Sequence, residues 1–200
     1  MTKSNRPWLR EGVSIFVMLV ATLAARSSLA EHYQVPTGSM LPTVHIDDRI
    51  LVNKMAYGIV LPFSDVRIVD FAGPSRGDVA VLRSPVDDVT LLKRVVAVPG
   101  DRVSVRGGRL WINNLGAPII GNQQDALEVL NNKAHRLLLD HGGGPDFGPV
   151  FLGKDEYLVM GDNRGNSHDG RSFGLVGHRS FLGRASGIFW SAGRPTWHGL

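Results

Sequence analysis

An uncharged apolar stretch covers residues 12–25, and three basic residues precede it. Its 14 residues are fewer than the roughly 20 that a membrane-spanning helix needs. A span that continues to Ala30 must pass Arg26, whose long side chain can reach back to the interface. The pattern therefore predicts a transmembrane anchor over residues 11–30, with a cytoplasmic N-terminus at residues 1–10.

A cleavable leader is the alternative interpretation of the same segment. Lys3, Arg6 and Arg10 would then form its basic region, and Ser28-Leu29-Ala30 would be a cleavage site of the small-x-small kind. Both interpretations give one orientation, because basic residues stay on the cytoplasmic side and the rest of the chain lies beyond the membrane. The pattern alone does not decide whether the segment is retained or cleaved after Ala30.

Beyond residue 30, short apolar runs alternate with turn residues, which predicts a mainly β domain over residues 31–200. Arg106-Gly107-Gly108-Arg109 predicts the turn of a hairpin. The clearest strands are predicted at residues 78–82, 89–98, 102–106 and 109–113.

The pattern is least informative at residues 113–150, which we expect to form a small insertion. Residues 127–139 suit either an amphipathic helix or a hairpin that turns at Asn131-Asn132. Residues 194–200 are predicted to form a C-terminal tail.

Ser39 is the first candidate for chemistry. It lies beside Gly38 and between Pro36 and Pro42, so the backbone is stiff on both sides and free to turn sharply in the middle. Such a turn can hold a side chain out of a sheet. A serine hydroxyl is a weak nucleophile, so Ser39 needs a neighbouring base with a pKa near the working pH.

Lys93 is the best candidate for that base. It lies in the predicted strand 89–98, which is apolar on both faces, and it shares its face with Leu91, Val95 and Ala97. Burial there would penalise the ammonium form and lower the lysine pKa, as a general base requires. A lone lysine in a strand more often lies at the rim in solvent.

A loop dense in glycine, asparagine and charged residues covers residues 160–171 and follows the apolar Tyr157-Leu158-Val159. Alone, such a loop is most often a solvated turn or a structural ion-pair cluster. Its combination with Ser39 and Lys93 is much more specific.

Together these segments resemble the bacterial type I signal peptidases, the Ser/Lys membrane proteases that remove signal peptides from exported proteins. The resemblance extends from the N-terminal segment to about Ser191 and implies the antiparallel β-sheets of that catalytic fold, preceded by one transmembrane helix. It also favours a hairpin at residues 127–139 and retention of the anchor. The matching boxes are residues 36–43, 49–54, 76–81, 93–101 and 161–171.

The resemblance implies a role for each site residue. Ser39 is expected to attack the scissile carbonyl while uncharged Lys93 accepts its proton. The Ser39 backbone N–H and the Thr37 hydroxyl would form the oxyanion hole. Many members have serine where this chain has Thr37, which keeps the hydroxyl but restricts χ1. Ser167 would orient the Lys93 amine.

Asp162, Asp169, Arg171 and Arg94 are expected to form ion pairs that hold the last loop against the site. Gly165 and Gly170 stand where the family pattern often has Asp and Ser, which predicts a more flexible loop with an unchanged mechanism. His45 and His168 lie near the boxes, but the family pattern gives them no catalytic role.

The composition of the chain limits which ligands and partners we expect it to bind. The chain has no cysteine, which excludes disulfides and thiolate metal sites. No His, Asp or Glu pair has the spacing of a zinc-binding helix, so we expect neither metal nor cofactor. The net charge of +4 comes from scattered basic residues without a nucleic-acid-binding motif, which favours anionic lipid headgroups over nucleic acid.

The expected function is that of a signal peptidase in the bacterial inner (cytoplasmic) membrane, with a single-pass anchor and an extracytoplasmic catalytic domain. Its expected partners are preprotein signal peptides and membrane lipid. A specialised pilin or conjugation-system processing peptidase and a catalytically silent membrane scaffold remain as alternatives. Residues 59–63 are either core or an exposed patch at the lipid interface.

Overall fold

Antiparallel sheets dominate the computed structural model, which describes residues 11–19, 22, 29–61, 64 and 66–200. The mainly β, antiparallel fold predicted from the sequence is therefore confirmed. Short helices are found at Gly38–Met40, Lys54–Ala56, Gly170–Phe173 and His178–Ser180. The strands are β1 (Ala30–Gln34), β2 (Arg49–Asn53), β3 (Gly58–Val60), β4 (Arg67–Asp70), β5 (Val79–Arg83), β6 (Thr90–Ala97), β7 (Arg102–Arg106), β8 (Arg109–Ile112), β9 (Leu115–Gly116), β10 (Ile119–Gly121), β11 (Ala126–Leu130), β12 (Lys133–Leu137), β13 (Phe147–Phe151), β14 (Leu158–Met160), β15 (Phe181–Ser191) and β16 (Arg194–Gly199).

The largest sheet, which we call the main sheet, has the order β1-β2-β15-β5-β6-β14, and β16 also pairs with β15. Strand β15 is long enough to pair with β2, β5 and β16, and its ladder is interrupted by register shifts. Strand β6 carries buried apolar side chains on both faces: Val95 packs beside Tyr57 and Phe181, while Val96 packs in a separate cluster with the side chains of β7. This two-sided burial explains the continuous apolar run read from the sequence.

A second lobe follows β6 and returns to the main sheet at β14. It contains the sheet β13-β7-β8-β9 and the sheet β10-β11-β12. The predicted insertion at residues 113–150 supplies β9 to β12 and most of β13, and β13 pairs with β7. The lobe is thus built onto the β7–β8 hairpin.

Two hairpin predictions are confirmed. Strands β7 and β8 join through Gly107 and Gly108, which both have positive φ. Strands β11 and β12 join through Asn131 and Asn132, which also have positive φ, so the helical alternative for residues 127–139 is wrong. Two central residues with positive φ are the geometry that suits the twist of a two-residue hairpin.

The prediction of a tail at residues 194–200 is wrong, because β16 pairs with β15. Ala192 (φ 51°) and Gly193 (φ 75°) make the turn between them. The first of these positions usually holds Asn, Asp or Gly, so the alanine concealed the hairpin.

Residues 11–19 are helical, and Val13, Ile15, Phe16 and Val17 are exposed there. In the part of the chain that the structure describes, no helix is both long and apolar enough to cross a membrane. The predicted cytoplasmic segment 1–10 lies outside the described residues, as does most of 20–28. The anchor stays a prediction.

The β3–β4 hairpin exposes apolar side chains, among them Leu61, Val66 and Ile68. Arg67 anchors this hairpin, because its guanidinium donates to the carbonyl oxygens of His178 and Phe181. Of the predicted patch at 59–63, Leu61 is exposed, whereas Pro62 and Phe63 lie outside the described residues.

Candidate active site

The turn that carries Ser39 is a short 3₁₀ helix, Gly38–Met40, held from below by the fully buried Met40. An added Cβ at Gly38 would lie 3.0 Å from Leu41 Cδ1, so a larger residue there would require the Leu41 side chain to shift. Thr37 precedes the helix in an extended conformation, and its hydroxyl does not cap it. The hydroxyls of both Thr37 and Ser39 remain available at the surface of a cleft.

Lys93 reaches Ser39 from β6, with Nζ 2.7 Å from Ser39 Oγ. The lysine is only 3% exposed. Burial lowers its pKa to about 8, although the charges of Asp169 and Asp162 oppose the shift. At neutral pH a usable fraction of Lys93 is therefore uncharged, and in that form Ser39 Oγ–H can donate to Nζ.

Thr37 and Ser39 present their hydroxyls side by side, with Thr37 Oγ1 3.4 Å from Ser39 Oγ. This distance permits only a weak hydrogen bond, so Thr37 Oγ1 is not committed to Ser39 in this state. A hydroxyl placed beside a nucleophile can donate to an oxyanion that develops on the attacked carbonyl.

Ser167 lies in the loop after β14 with a buried Oγ that makes no hydrogen bond. The Ser167 hydroxyl helps to lower the pKa of the Asp169 carboxyl, although these two groups lack the geometry of a hydrogen bond. Ser167 also packs against Gly161, where an added Cβ would overlap both the Ser167 side chain and the Ser39 carbonyl oxygen. The structure does not bring Ser167 Oγ into a hydrogen bond with Lys93.

Asp162 and Arg94 form a buried bidentate ion pair, with Arg94 Nε 2.8 Å from Oδ1 and Nη2 2.7 Å from Oδ2. Thr43 Oγ1 donates to the same carboxylate at 2.5 Å. Burial would raise the pKa of Asp162, but the Arg94 charge and these hydrogen bonds lower it instead. Through Asp162 the pair joins β6, which carries Lys93, to Thr43 in the segment that follows Ser39.

Asp169 and Arg171 form the second buried pair, with Nε and Nη2 each 2.8 Å from a carboxylate oxygen. Asp169 also accepts from the Gly161 N–H, and Arg171 donates to the carbonyls of Gly143 and Arg164. Burial would raise the pKa of Asp169, but the hydrogen bonds and charge of Arg171 keep it low. The four residues predicted to make ion pairs thus lie in two separate pairs.

Asn163 was not singled out from the sequence, yet it holds the turn of Ser39 directly. Its backbone N–H donates to the Ser39 carbonyl at 3.0 Å, and its Nδ2 donates to the Gly38 carbonyl at 3.1 Å. The only sequence signal was an amide residue next to Asp162 in the candidate loop.

Arg164 is a second residue that the sequence did not reveal. It is fully buried and donates to Glu128 of β11 through Nη1 at 3.1 Å and Nη2 at 2.6 Å. It also donates to the carbonyls of Gly161 and Gly108. His135 Nε2 lies 3.3 Å from Glu128 Oε2 but does not point along a hydrogen bond. Contacts with the second lobe therefore hold this loop in place.

The cleft above Ser39 and Lys93 encloses about 320 Å³. Its walls include Gln34, Val35 and Pro36, together with side chains of β6 from Thr90 to Lys93. Among the described residues, no group of three or more His, Asp or Glu side chains is placed to hold a metal ion.

The sequence matches the family described as signal peptidase, peptidase S26, over residues 8–190. The chain belongs to this family.

Its relatives within the signal peptidase family cover almost the whole chain. The signal peptidase I of Pseudomonas fluorescens is 35% identical, over 96% of this chain and 76% of that protein. The signal peptidase I of Pseudomonas aeruginosa is 34% identical, over 98% and 78%. A solved signal peptidase I from Enterococcus faecalis aligns with a TM-score of 0.42 and 25% identity, over 57% of this chain and 98% of that one.

The two glycines that depart from the signal peptidase pattern are closely packed against their neighbours, and the expected flexibility of the loop stays a prediction. An added Cβ at Gly165 would overlap His141, and one at Gly170 would lie 2.8 Å from Leu158 Cδ1 and 2.9 Å from the Val159 carbonyl oxygen. Gly170 is itself buried. Close packing takes the place of the missing side chains.

The buried Arg164–Glu128 pair yields a stability prediction. Burial would raise the pKa of Glu128, but Arg164 and His135 lower it to about 2. Glu128→Gln would leave Arg164 buried without its counter-charge, so we expect a loss of about 3 to 5 kcal/mol, measured by urea denaturation of the detergent-solubilised chain.

Asp125→Asn is the matched control, because Asp125 and its partner Arg136 are both exposed; a loss below about 1 kcal/mol is expected. The folded-state pKa of Glu128 is depressed, so its contribution is complete above its ordinary pKa of 4.5 and declines as pH falls towards 2. Equal losses for the two variants would contradict the assigned role of the buried pair.

Proposed function

We propose that this protein is a membrane-anchored serine endopeptidase that removes N-terminal signal peptides from exported preproteins with a Ser39/Lys93 dyad. The observation that carries the proposal is the 2.7 Å separation of Lys93 Nζ and Ser39 Oγ in a buried setting that lowers the lysine pKa to about 8. Membership of the signal peptidase family and relatives named signal peptidase I support the reaction class.

The first chemical step is acylation of the serine. Uncharged Lys93 accepts the Ser39 hydroxyl proton as Oγ attacks the scissile carbonyl. The resulting ammonium then donates that proton to the leaving amine, which frees the mature protein. In the second step Lys93 deprotonates a water that attacks the acyl ester, and Ser39 is regenerated. The Ser39 N–H and the Thr37 hydroxyl stabilise the oxyanion in both steps.

The remaining site residues act as supports. The Arg94–Asp162 pair fixes β6 relative to the nucleophile segment, because Asp162 also accepts from Thr43. The Asp169–Arg171 pair shapes the loop that carries Ser167. Ser167 Oγ is buried and makes no hydrogen bond, which leaves this hydroxyl free for the proposed role of orienting the Lys93 amine.

Substrate binding would use the free edge of β6. Strand β5 pairs with residues 90–94, whereas β14 pairs with β6 only from Arg94 onward, so residues 90–93 have an unpaired edge among the described strands. An extended signal peptide could add there as a further strand, with alternate small side chains filling the cleft. The cleft walls are mostly apolar, among them Val35, Met40, Ile50 and Leu92.

The membrane anchor is part of the proposal. The exposed apolar side chains of the helical residues 11–19 and of the β3–β4 hairpin support contact with lipid. The anchor would occupy residues 11–30 in the bacterial inner membrane, with the catalytic domain on the extracytoplasmic side.

The direct test is cleavage of a purified preprotein with a small-x-small site by the detergent-solubilised chain. We expect wild type to cut after the small residue, and Ser39→Ala and Lys93→Ala each to lose at least about a thousandfold in kcat/KM while remaining folded. Lys154→Ala, on the surface, is the control and should retain full activity. A Lys93→Ala variant that still cuts would require another base. A wild type inactive on several preproteins would favour a dedicated processing peptidase or a silent scaffold.

The rate should depend on pH through Lys93. Because the ammonium form cannot accept a proton, kcat/KM should fall roughly tenfold per unit below the pKa of about 8 and level off above it. A stopped-time assay with a fluorogenic peptide from pH 5 to 9 measures this, with protein stability followed in parallel. A rate that does not change between pH 5 and 8 would exclude Lys93 as the base.

Topology can be tested separately from catalysis. In right-side-out vesicles, added protease should degrade the domain after residue 30 while an N-terminal tag stays protected. A protected catalytic domain would refute the orientation, and release of the domain from washed vesicles would indicate cleavage after Ala30 instead of retention.

A further inference from the structure

The outer face of the sheet β13-β7-β8-β9 carries arginines and aromatic side chains side by side. Strands β7 and β8 bury Val103, Val105 and Leu110, so the alternate residues of each strand point outward. We call this outward surface the arginine–aromatic face. It consists of Arg102, Ser104, Arg106, Arg109, Trp111, Pro149 and Phe151.

The strand register places these side chains together. Ser104 lies directly opposite Trp111, and Arg102 and Arg106 are the two diagonal neighbours of Trp111 on the same face. Phe151 lies opposite Arg102 and is 69% exposed. A hollow of about 280 Å³ opens between Trp111 and Pro149, with Ser104 at its base and an arginine at each end.

The hollow is built into the backbone. An added Cβ on Gly116, the partner of Trp111 in β9, would lie 3.3 Å from the indole ring, so the ring lies directly over that glycine. The backbone at Gly148 packs against β7, because an added Cβ there would lie 2.5 Å from the Val103 carbonyl oxygen. Trp111 therefore packs on β9, and the backbone that precedes Pro149 packs on β7.

The face has positive charge without compensation. Among the described residues, the guanidinium groups of Arg102, Arg106 and Arg109 make no ion pair or hydrogen bond, and no carboxylate lines the hollow. Arg76, by contrast, is paired with Asp101 close by. Arg106 and Arg109 are also directly opposite each other, an arrangement that costs free energy in a sheet.

We propose that the arginine–aromatic face binds an extended acidic segment of a protein partner, with carboxylates on Arg102 and Arg106 and an apolar or proline side chain between Trp111 and Pro149. Arg and Trp are the residues that dominate binding energy at protein interfaces, and arginine pairs with carboxylates through two parallel hydrogen bonds. This site is separate from the cleft of Ser39 and does not depend on the proposed peptidase activity.

The topology favours a protein over a membrane surface. The chain enters the main sheet at β1, on one edge, whereas the second lobe is attached through β6 and β14 at the opposite edge. With the anchor that we propose before β1, the arginine–aromatic face lies on a lobe that joins the main sheet at the edge opposite the anchored strand.

The probe is a fluorescein-labelled peptide of six Glu-Pro repeats, titrated against the detergent-solubilised full chain by fluorescence anisotropy at low salt. Wild type should bind it, and six Gln-Pro repeats should bind at least about tenfold more weakly. Trp111→Ala and the double variant Arg102→Gln/Arg106→Gln should each weaken binding at least about tenfold. Arg179→Gln, an exposed arginine elsewhere, is the control and should bind like wild type.

A charge-reversal variant distinguishes a specific loss of binding from unfolding of the protein. Arg102→Glu/Arg106→Glu should lose the Glu-Pro peptide and gain binding to six Lys-Pro repeats, with preprotein cleavage unchanged in every variant. Wild-type binding that no face variant alters, or equal binding of the Gln-Pro peptide, would overturn the proposal. Binding through the same residues to phosphatidylglycerol vesicles or to oligo-dT, in preference to the Glu-Pro peptide, would assign the face to a membrane or to nucleic acid.

Discussion

The buried pair between Arg94 and Asp162 is the contact on which the candidate site depends. Arg94 follows Lys93 on β6, Asp162 follows β14, and Thr43 brings the segment after Ser39 to the same carboxylate. Three distant parts of the chain therefore meet at the two carboxylate oxygens of Asp162. A buried pair of this kind adds little net stability compared with apolar residues, but losing one partner leaves an uncompensated charge in the core.

Desolvation of Lys93 and the carboxylates of the nearby ion pairs shift the lysine pKa in opposite directions. Burial lowers the lysine pKa, whereas the charges of Asp169 and Asp162 raise it and that of Arg171 lowers it. Because each carboxylate is already paired with an arginine, its attraction for the lysine ammonium is partly cancelled. The pairs can thus build the site without returning Lys93 to the ordinary pKa of an exposed lysine.

Local sequence patterns predicted part of the structure that neighbours in the chain decide, although the Ala192-Gly193 turn was missed. The Gly107-Gly108 turn and the strand of Lys93 both follow from periodicity and turn chemistry. Contacts between distant residues were not predictable: the Asn163 amide meets Gly38 across 125 positions. The tight packing at Gly165 depends on His141, which no local pattern links to it.

The contacts between the second lobe and the loop that follows β14 mean that the main sheet does not build the candidate site alone. Arg164 is enclosed by Glu128 and Gly108 from that lobe, and Arg171 bonds to Gly143 of the same lobe. The loop that borders Ser39 is therefore shaped by both lobes at once. Excision of the second lobe at its two connections would leave Arg164 and Arg171 without these partners and would alter the loop beside Ser39, so the lobe is not an optional insertion.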